Sequence, residues 1–294
     1  MHIRVGTRAS KLALWQTNHV IDRLREAYPD HTFEVVEIHT KGDKIQNVSL
    51  QKIGDKGLFV KEIEEQLLVG NIHMAVHSMK DMPSALPKGL CFADCWNRED
   101  ARDVLITRKG TQVKDLPYDA VIGTGSLRRS VQIKALHPHY RIKDIRGNVD
   151  TRIRKLDEGN YDAIIMAAAG LHRLGLQERI SAYFDVEDLI PASAQGVLAI
   201  EVRSDNQELK AMLNARKDEE TDICVSAERA FLAAMDGNCH VPVGAYCERK
   251  GNEYVFHALY GSDENDTVFY HGTNENALEA AEAAIAYIKK EMGN

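Results

Sequence analysis

Ala120-Val121-Ile122 runs into Gly123-Thr124-Gly125-Ser126-Leu127-Arg128-Arg129, and no other stretch narrows the fold as much. The first three residues read as a short buried strand. Val131, Ile133, Ala135 and Leu136 predict a helix that stops before Pro138. A strand that turns through glycine into a helix belongs to α/β architecture. It presents free backbone N–H groups at the positive end of the helix dipole, where anions settle. Two adjacent arginines stand at this turn, and Lys134, Arg141, Lys143, Arg146, Arg152, Arg154 and Lys155 follow, against only Asp144 and Asp150. The whole chain carries a net charge of -7, so this is a local cationic field. Such a field suits a small polyanion better than a nucleic acid. Arginine outnumbers lysine, which favours carboxylates or phosphates bound through two parallel hydrogen bonds. A solvated helix face would be the plainer explanation, but the glycine turn and the shortage of acids weigh against it. The third glycine of a dinucleotide loop is missing, and no Walker lysine pattern occurs.

The same rhythm recurs along the 294 residues, enough for two or three domains. Strand 3–6 leads to Ser10, which is placed to cap a helix carrying Ala13, Val20, Ile21, Leu24 and Tyr28 on one face. Arg8 beside that cap makes a second anion site. Residues 33–40 are strand-like. Residues 41–57, rich in glycine and lysine, read as a functional lid or a disordered loop, with Lys52 and Lys56 able to reach an anionic ligand. A helix through Phe59, Val60, Ile63 and Leu67 ends at Gly70, and a buried strand 72–76 ends in His77-Ser78-Met79-Lys80-Asp81-Met82-Pro83. Functional groups of open α/β sheets gather beyond the carboxyl ends of strands, which singles out Lys80 and Asp81. His73 and His77 lack a third ligand nearby, so no metal is expected.

Strands at 90–95 and 103–107 flank the charged link 97–102, where the chain crosses to a second lobe with strands near 120–124, 141–145 and 162–168. It returns through Gln195-Gly196 into a strand at 197–201. The expectation is an α/β chain of two lobes with a double crossover and a cleft, followed by a smaller C-terminal α+β domain. Its boundaries are 1–97 with 198–216, 102–192, and 219–294. In the last third, a helix 221–235 precedes Gly237-Asn238-Cys239-His240, strands 243–249 and 253–260, and a final helix from about 275. Cys91, Cys95, Cys224 and Cys247 sit in apolar runs and read as core residues; Cys239, in a glycine-bounded turn beside a histidine, reads as a reachable nucleophile. The early first strand leaves no room for a leader, and the longest apolar run, 163–171, cannot span a bilayer. A cytoplasmic protein with reduced thiols is expected.

Taken together, these motifs resemble the porphobilinogen deaminase (hydroxymethylbilane synthase) family. The resemblance runs through Val5-Gly6-Thr7-Arg8-Ala9-Ser10, Lys56-Gly57-Leu58-Phe59-Val60-Lys61-Glu62, Ala75-Val76-His77-Ser78-Met79-Lys80-Asp81, Gly123-Thr124-x-Ser126-Leu127-Arg128-Arg129, Arg146-Gly147-Asn148-Val149-x-Thr151-Arg152 and Tyr161-Asp162-Ala163-Ile164-Ile165. It implies two periplasmic-binding-protein-like lobes and a third domain. It also implies a transferase that joins four porphobilinogen molecules head to tail, losing ammonia at each step, and then releases linear hydroxymethylbilane by hydrolysis for haem and other tetrapyrroles. The polymer starts on a dipyrromethane cofactor held by a thioether, which falls on Cys239. The catalytic aspartate falls on Asp81. Carboxylate-binding positions fall on Arg8, Ser10, Lys80, Thr124, Ser126, Arg128, Arg129, Arg146, Arg152 and Gln195, and the lid on Lys52, Lys56 and Phe59. The family suggests a monomer, with no metal, nucleic acid or membrane partner. Four positions depart from its pattern: Asn238 and His240 flank the cysteine, Ala194 stands for a glycine, and Gly125 for a serine. A non-catalytic two-lobed receptor for a small polycarboxylate is the alternative, and a nucleotide-binding regulator a more distant one. A receptor needs neither Asp81 nor Cys239.

Overall fold

The computed structural model describes residues 1–40, 60–235, 241–261 and 266–293. These fall into two compact units. The first holds residues 1–40, 60–98 and 197–222, and the second holds 99–196 together with the described residues from 223 onward.

In the first unit a five-stranded sheet has the order β2-β1-β3-β10-β4. β1 (His2–Thr7) pairs in parallel with β2 (Thr32–Glu37) and β3 (Met74–Ser78), while β10 (Leu198–Arg203) runs antiparallel between β3 and β4 (Leu90–Phe92). Alternation along β1 sends Ile3 and Val5 to one face, where Met74, Val76, Ile200 and Val202 join Val20, Ile21 and Leu24 of α1 (Lys11–Ala27). The opposite face is covered by Ile63 and Leu67 of α2 (Lys61–Leu68), packed with Ile72, Ala75 and Leu90. Gly6 faces that side; a Cβ there would come within 2.3 Å of the Ile72 side chain.

The second unit contains two sheets. One has the order β7-β6-β8-β5-β9: β6 (Val121–Gly123) is parallel to β7 (Arg141–Lys143) and β8 (Ala163–Ala167), and β5 (Asp103–Thr107) is antiparallel to both β8 and β9 (Ala182–Tyr183). Both faces are apolar, as befits strands covered from two sides. In each α/β sheet three parallel strands are followed by one antiparallel strand, and that strand is the first after a crossover: β5 on leaving, β10 on returning. The topology therefore repeats although the sequence shows no internal repeat.

The other sheet, β11-β12-β13, is antiparallel: β11 (Val243–Lys250), β12 (Glu253–Gly261) and β13 (Thr267–Asn274). Phe231 from the helix at Glu219–Ala234 packs with Phe256 on β12 and with Ala280, Ala284 and Ile288 from the helix at Ala277–Glu291. Two strands, β9 and β13, go beyond the sequence expectation. β13 alternates half-buried and exposed residues and lies at a sheet edge, so its apolar signal is diluted. Among the described residues no helix is long and apolar enough to cross a membrane.

Candidate active site

Each unit turns from its central parallel strand into a helix capped by serine. In the first unit Ser10 Oγ accepts from the Ala13 N–H at 3.3 Å at the start of α1. In the second, Ser126 Oγ accepts from the Arg129 N–H at 3.5 Å at the start of α3 (Leu127–Leu136), and Thr124, buried beside it, takes the Ser126 N–H on its own hydroxyl at 3.2 Å. Gly125 is required by close approach: a Cβ would lie 2.7 Å from Asp144 Oδ1 and 3.2 Å from the Ile145 carbonyl oxygen. The serine of the family pattern would have to displace that carboxylate.

Arg128 and Arg129 are 5% and 6% exposed, and both are ion-paired to Asp103, the fully buried first residue of β5. Arg128 Nη1 lies 2.8 Å from Asp103 Oδ2 and also donates to the Ile190 carbonyl at 2.6 Å. Arg129 Nη2 lies 2.7 Å from Asp103 Oδ1, and its Nη1 donates to the Ile165 carbonyl at 3.2 Å. Burial alone would raise the Asp103 carboxyl, but the two guanidinium charges and their hydrogen bonds outweigh it and hold the group well below the usual carboxylate range. The cationic run is thus balanced by an acid distant in sequence. Two arginines against one aspartate still leave a net positive charge, and Arg129 Nε is a buried donor without a hydrogen-bond partner among the described residues.

Gln195 is fully buried and donates to the Ala101 carbonyl at 2.7 Å and to Asp103 Oδ1 at 2.9 Å, so it belongs to the same cluster. After the parallel neighbour β7, the chain turns at Gly147 (φ +118°) into α4 (Val149–Asp157). Arg152 Nε donates to the Gly147 carbonyl at 2.8 Å, and Arg146 presents a buried Nη1 without a partner among the described residues. β6 and β7 are parallel, so Thr124, Ser126, Arg128, Arg129, Arg146 and Arg152 all follow the carboxyl ends of adjacent strands. Arg173, which the sequence reading passed over inside an apolar stretch, is buried and donates to the Gly196 carbonyl at 2.6 Å. Burial lowers its guanidinium to about 10, against the raising effect of Glu99.

In the first unit Arg8 and Ser10 follow β1, and Lys80 and Asp81 follow the neighbouring parallel strand β3. A single 3-10 turn, Met79–Asp81, carries them. Two hydrogen bonds pin that turn and the strand end before it, and a histidine–glutamate pair lies beside them. The Met79 N–H donates to the Val197 carbonyl at 3.0 Å, Gln16 Nε2 donates to Ser78 Oγ at 3.0 Å, and His77 Nε2 sits 3.2 Å from the fully buried Glu201. Met79 and Met82 are buried, Lys80 is half-buried and Asp81 is exposed. The Asp81 carboxylate thus stands on an anchored turn and faces solvent. Glu64 on α2 is also buried, and burial first and Glu201 second raise its carboxyl to about 7. Glu64 and Glu201 were not foreseen, because a glutamate within a helix or strand pattern reads as a solvent-facing position. His73 accepts from the Arg4 N–H at 2.8 Å, away from His77, and no group of three potential metal ligands exists among the described residues. Lys52, Lys56, Phe59 and Cys239 lie outside the described residues.

Residues 3–211 match the family model described as porphobilinogen deaminase, dipyromethane cofactor binding domain, and residues 222–294 match porphobilinogen deaminase, C-terminal domain. The chain belongs to the porphobilinogen deaminase family. It is 54% identical over 269 residues to the porphobilinogen deaminase of Clostridioides difficile, covering 91% of this chain and 89% of that one. With the porphobilinogen deaminase of Geobacillus kaustophilus it shares 47% over 307 residues, covering 100% and 99%. Among solved structures, the periplasmic VFT2 domain of Bordetella pertussis BvgS is a looser likeness, at 15% identity and a TM-score of 0.45 over 78% of this chain and 92% of that one. Membership of the family makes the chain a transferase, a hydroxymethylbilane synthase with a dipyrromethane cofactor.

Proposed function

We propose that this chain, a cytoplasmic monomer of three domains (1–97 with 198–216, 102–192 and 219–294), condenses porphobilinogen by means of Asp81, Cys239 and its arginines. One observation carries the assignment of the cofactor-holding group. At Gly244, near the start of β11, a Cβ would lie 2.9 Å from Arg128 Cδ and 2.7 Å from the Pro191 carbonyl oxygen. Cys239 precedes Val243 by four residues, which an extended chain spans in at most about 14 Å. The approach of the start of β11 to Arg128 supports Cys239, a few residues earlier in the sequence, as the group that holds the cofactor.

The residues fit a polycarboxylate group bound there. The arginine–aspartate cluster keeps a net positive charge, and Arg129 Nε and Arg146 Nη1 are buried donors that nothing described satisfies. Arg128, Arg129, Ser126 and Thr124 would hold the cofactor's acetates and propionates, and Cys239 Sγ would bond it. When bound, the dipyrromethane supplies the free pyrrole α-carbon onto which the first unit is joined. Arg8, Ser10, Lys80, Arg146 and Arg152 hold carboxylates of the incoming porphobilinogen and of the lengthening chain, which gains two negative charges per unit, while Gln195 supports the arginines from behind through Asp103. Lys52, Lys56 and Phe59 act as a lid.

Porphobilinogen loses ammonia to leave an electron-poor methylene pyrrole. The Asp81 carboxylate offsets the positive charge that develops and accepts hydrogen bonds from pyrrole N–H groups, and it takes the proton released when the new carbon–carbon bond restores aromaticity. Lys80 beside it orients a carboxylate. The anchored turn Met79–Asp81 serves this role by fixing the backbone on which the reacting carboxylate stands.

The test is the intact mass of protein made in a porphobilinogen-producing host. It should exceed the sequence mass by two porphobilinogen units less two ammonia molecules, resist dithiothreitol as a thioether does, and map to Cys239. Cys239→Ser should lose the added mass together with activity. Arg128→Leu should hinder loading, whereas Arg8→Leu should load fully and fail in substrate addition. Bare sequence mass in fully active protein refutes the cysteine role, and equal loading with equal activity in both arginine variants refutes the division of labour.

A further inference from the structure

We infer that Glu228 is a positioning residue that sets the arginine cluster through two consecutive backbone positions, Ala194 and Gln195, an inference that rests on the reading of Arg128 and Arg129 as carboxylate-binding groups. Glu228 lies fully buried in the helix at Glu219–Ala234. Its Oε2 accepts from the Ala194 N–H at 2.6 Å, and its Oε1 accepts from the Cys247 N–H on β11 at 2.8 Å. Ala194 is the only non-glycine residue with positive φ, +58°, among the described residues. In that conformation the Cβ crowds the following carbonyl, and alanine relaxes to negative φ unless something holds it. A charged acceptor on its N–H is such a hold, because a carboxylate bond to a buried amide is worth more than a neutral one.

What the strained residue controls is its neighbour. Gln195 is held to the Ala101 carbonyl and to Asp103 Oδ1, and Asp103 in turn takes Arg128 on one oxygen and Arg129 on the other. Three donors thus share one carboxylate. If Ala194 relaxes, the 194–195 peptide rotates and carries Gln195 off Asp103 Oδ1. The freed oxygen then draws the guanidinium groups closer, leaving less of their hydrogen-bonding capacity for an outside carboxylate. Glu228 therefore acts at a distance of three contacts, and in this chain it does so where a glycine would need no hold.

Substitution with rescue tests this. Glu228→Gln keeps the size but replaces one accepting oxygen with an NH2 group. In protein purified from a porphobilinogen-producing host, the fraction carrying the added dipyrromethane mass should fall at least about fivefold, while kcat per loaded molecule stays within about twofold. Adding Ala194→Gly should restore loading to within about twofold of the parent, because glycine adopts positive φ unaided. Ala194→Gly alone should load normally. If Glu228→Gln loads normally, or if Ala194→Gly fails to rescue it, Glu228 is only scaffold and the inference is overturned. Should Glu228→Gln not accumulate as folded protein, Ala194→Val reads the same step with Glu228 intact. Its branched side chain cannot hold positive φ, so loading should fall, and normal loading overturns the inference. Arg128→Leu separates the two claims: normal loading in that variant sinks the arginine reading, whereas rescue of the Glu228 variant concerns the backbone alone.

Discussion

Replacing Asp103 with asparagine removes one negative charge at almost constant volume, and the surroundings decide what that costs. The side chain is fully buried between Arg128 and Arg129, and among the described residues neither guanidinium is ion-paired to another carboxylate. Asparagine can still accept on one oxygen, from Arg129 and Gln195, but its NH2 group then points at Arg128 Nη1, setting donor against donor. Arg128 keeps the Ile190 carbonyl and Arg129 the Ile165 carbonyl, so neither cation is wholly orphaned. Removing one partner from a buried ion pair costs about 3–5 kcal/mol. At roughly 2–4 °C per kcal/mol, the melting temperature of the second unit should drop by about 6–20 °C. The acid limb gives an independent check. The folded carboxyl is held below its ordinary value of 3.8, so its contribution is complete above that value and disappears as pH falls toward the folded one. The gap between parent and Asp103→Asn in calorimetry should therefore be constant from neutral pH down to about pH 4 and narrow below it. A melting difference under about 2 °C at pH 7 would refute the reasoning, because it would mean the arginines find equivalent partners unaided.

Other expectations follow from the first unit and the C-terminal sheet. Asp81→Asn should fold and keep its cofactor, since the side chain is exposed, yet lose turnover by on the order of 10²–10³; Asp81→Glu should retain part of it, and near-parental rates in Asp81→Asn would make the residue incidental. For Glu64 the carboxyl rises from 4.5 to about 7, so stability tied to its protonated form is complete below 4.5 and is lost as pH climbs through about 7. Glu64→Gln should flatten that decline and be the more stable protein at pH 8, by at most about 3 kcal/mol; denaturant titrations at pH 5 and pH 8 check it, and a parallel decline in the variant counts against it. His257 on β12 meets His271 on the edge strand β13 through their Nδ1 atoms at 2.6 Å, and burial, then the neighbouring imidazole, lowers His257. His271→Phe should remove the imidazole that opposes protonation of His257 and leave β13 amides better protected than in the parent at pH 5, measured by hydrogen exchange.

Local chemistry was legible and distant pairing was not. Ser10 caps the helix its position announces, and α3 stops before Pro138, because capping and proline act within one turn of the chain. Asp103 could not be found this way. It opens an apolar strand 25 residues before Arg128, and only the antiparallel placement of β5 beside β8 brings it under the arginines. Ala194 stood out as a departure from a glycine pattern, but the reason it is tolerated lies on Glu228, 34 residues on. For Asp81 the strand end announces its height in the sheet, while the 3-10 turn, which the pattern does not show, decides that it faces solvent.

The return strand also has a temporal consequence. β10 lies between β3 and β4, and it supplies the ladder partners of both. A ribosome delivers β3 and β4 long before Leu198, after the whole stretch 99–196 has been made, so the first unit waits with the open edge of β3 exposed while β5 to β9 already have their partners. The arginine-bearing sheet can be complete before the aspartate-bearing one closes. A nascent chain stalled before Leu198 would present the open edge of β3 and an unpaired β4, and it is there that a chaperone or a neighbouring nascent chain would bind.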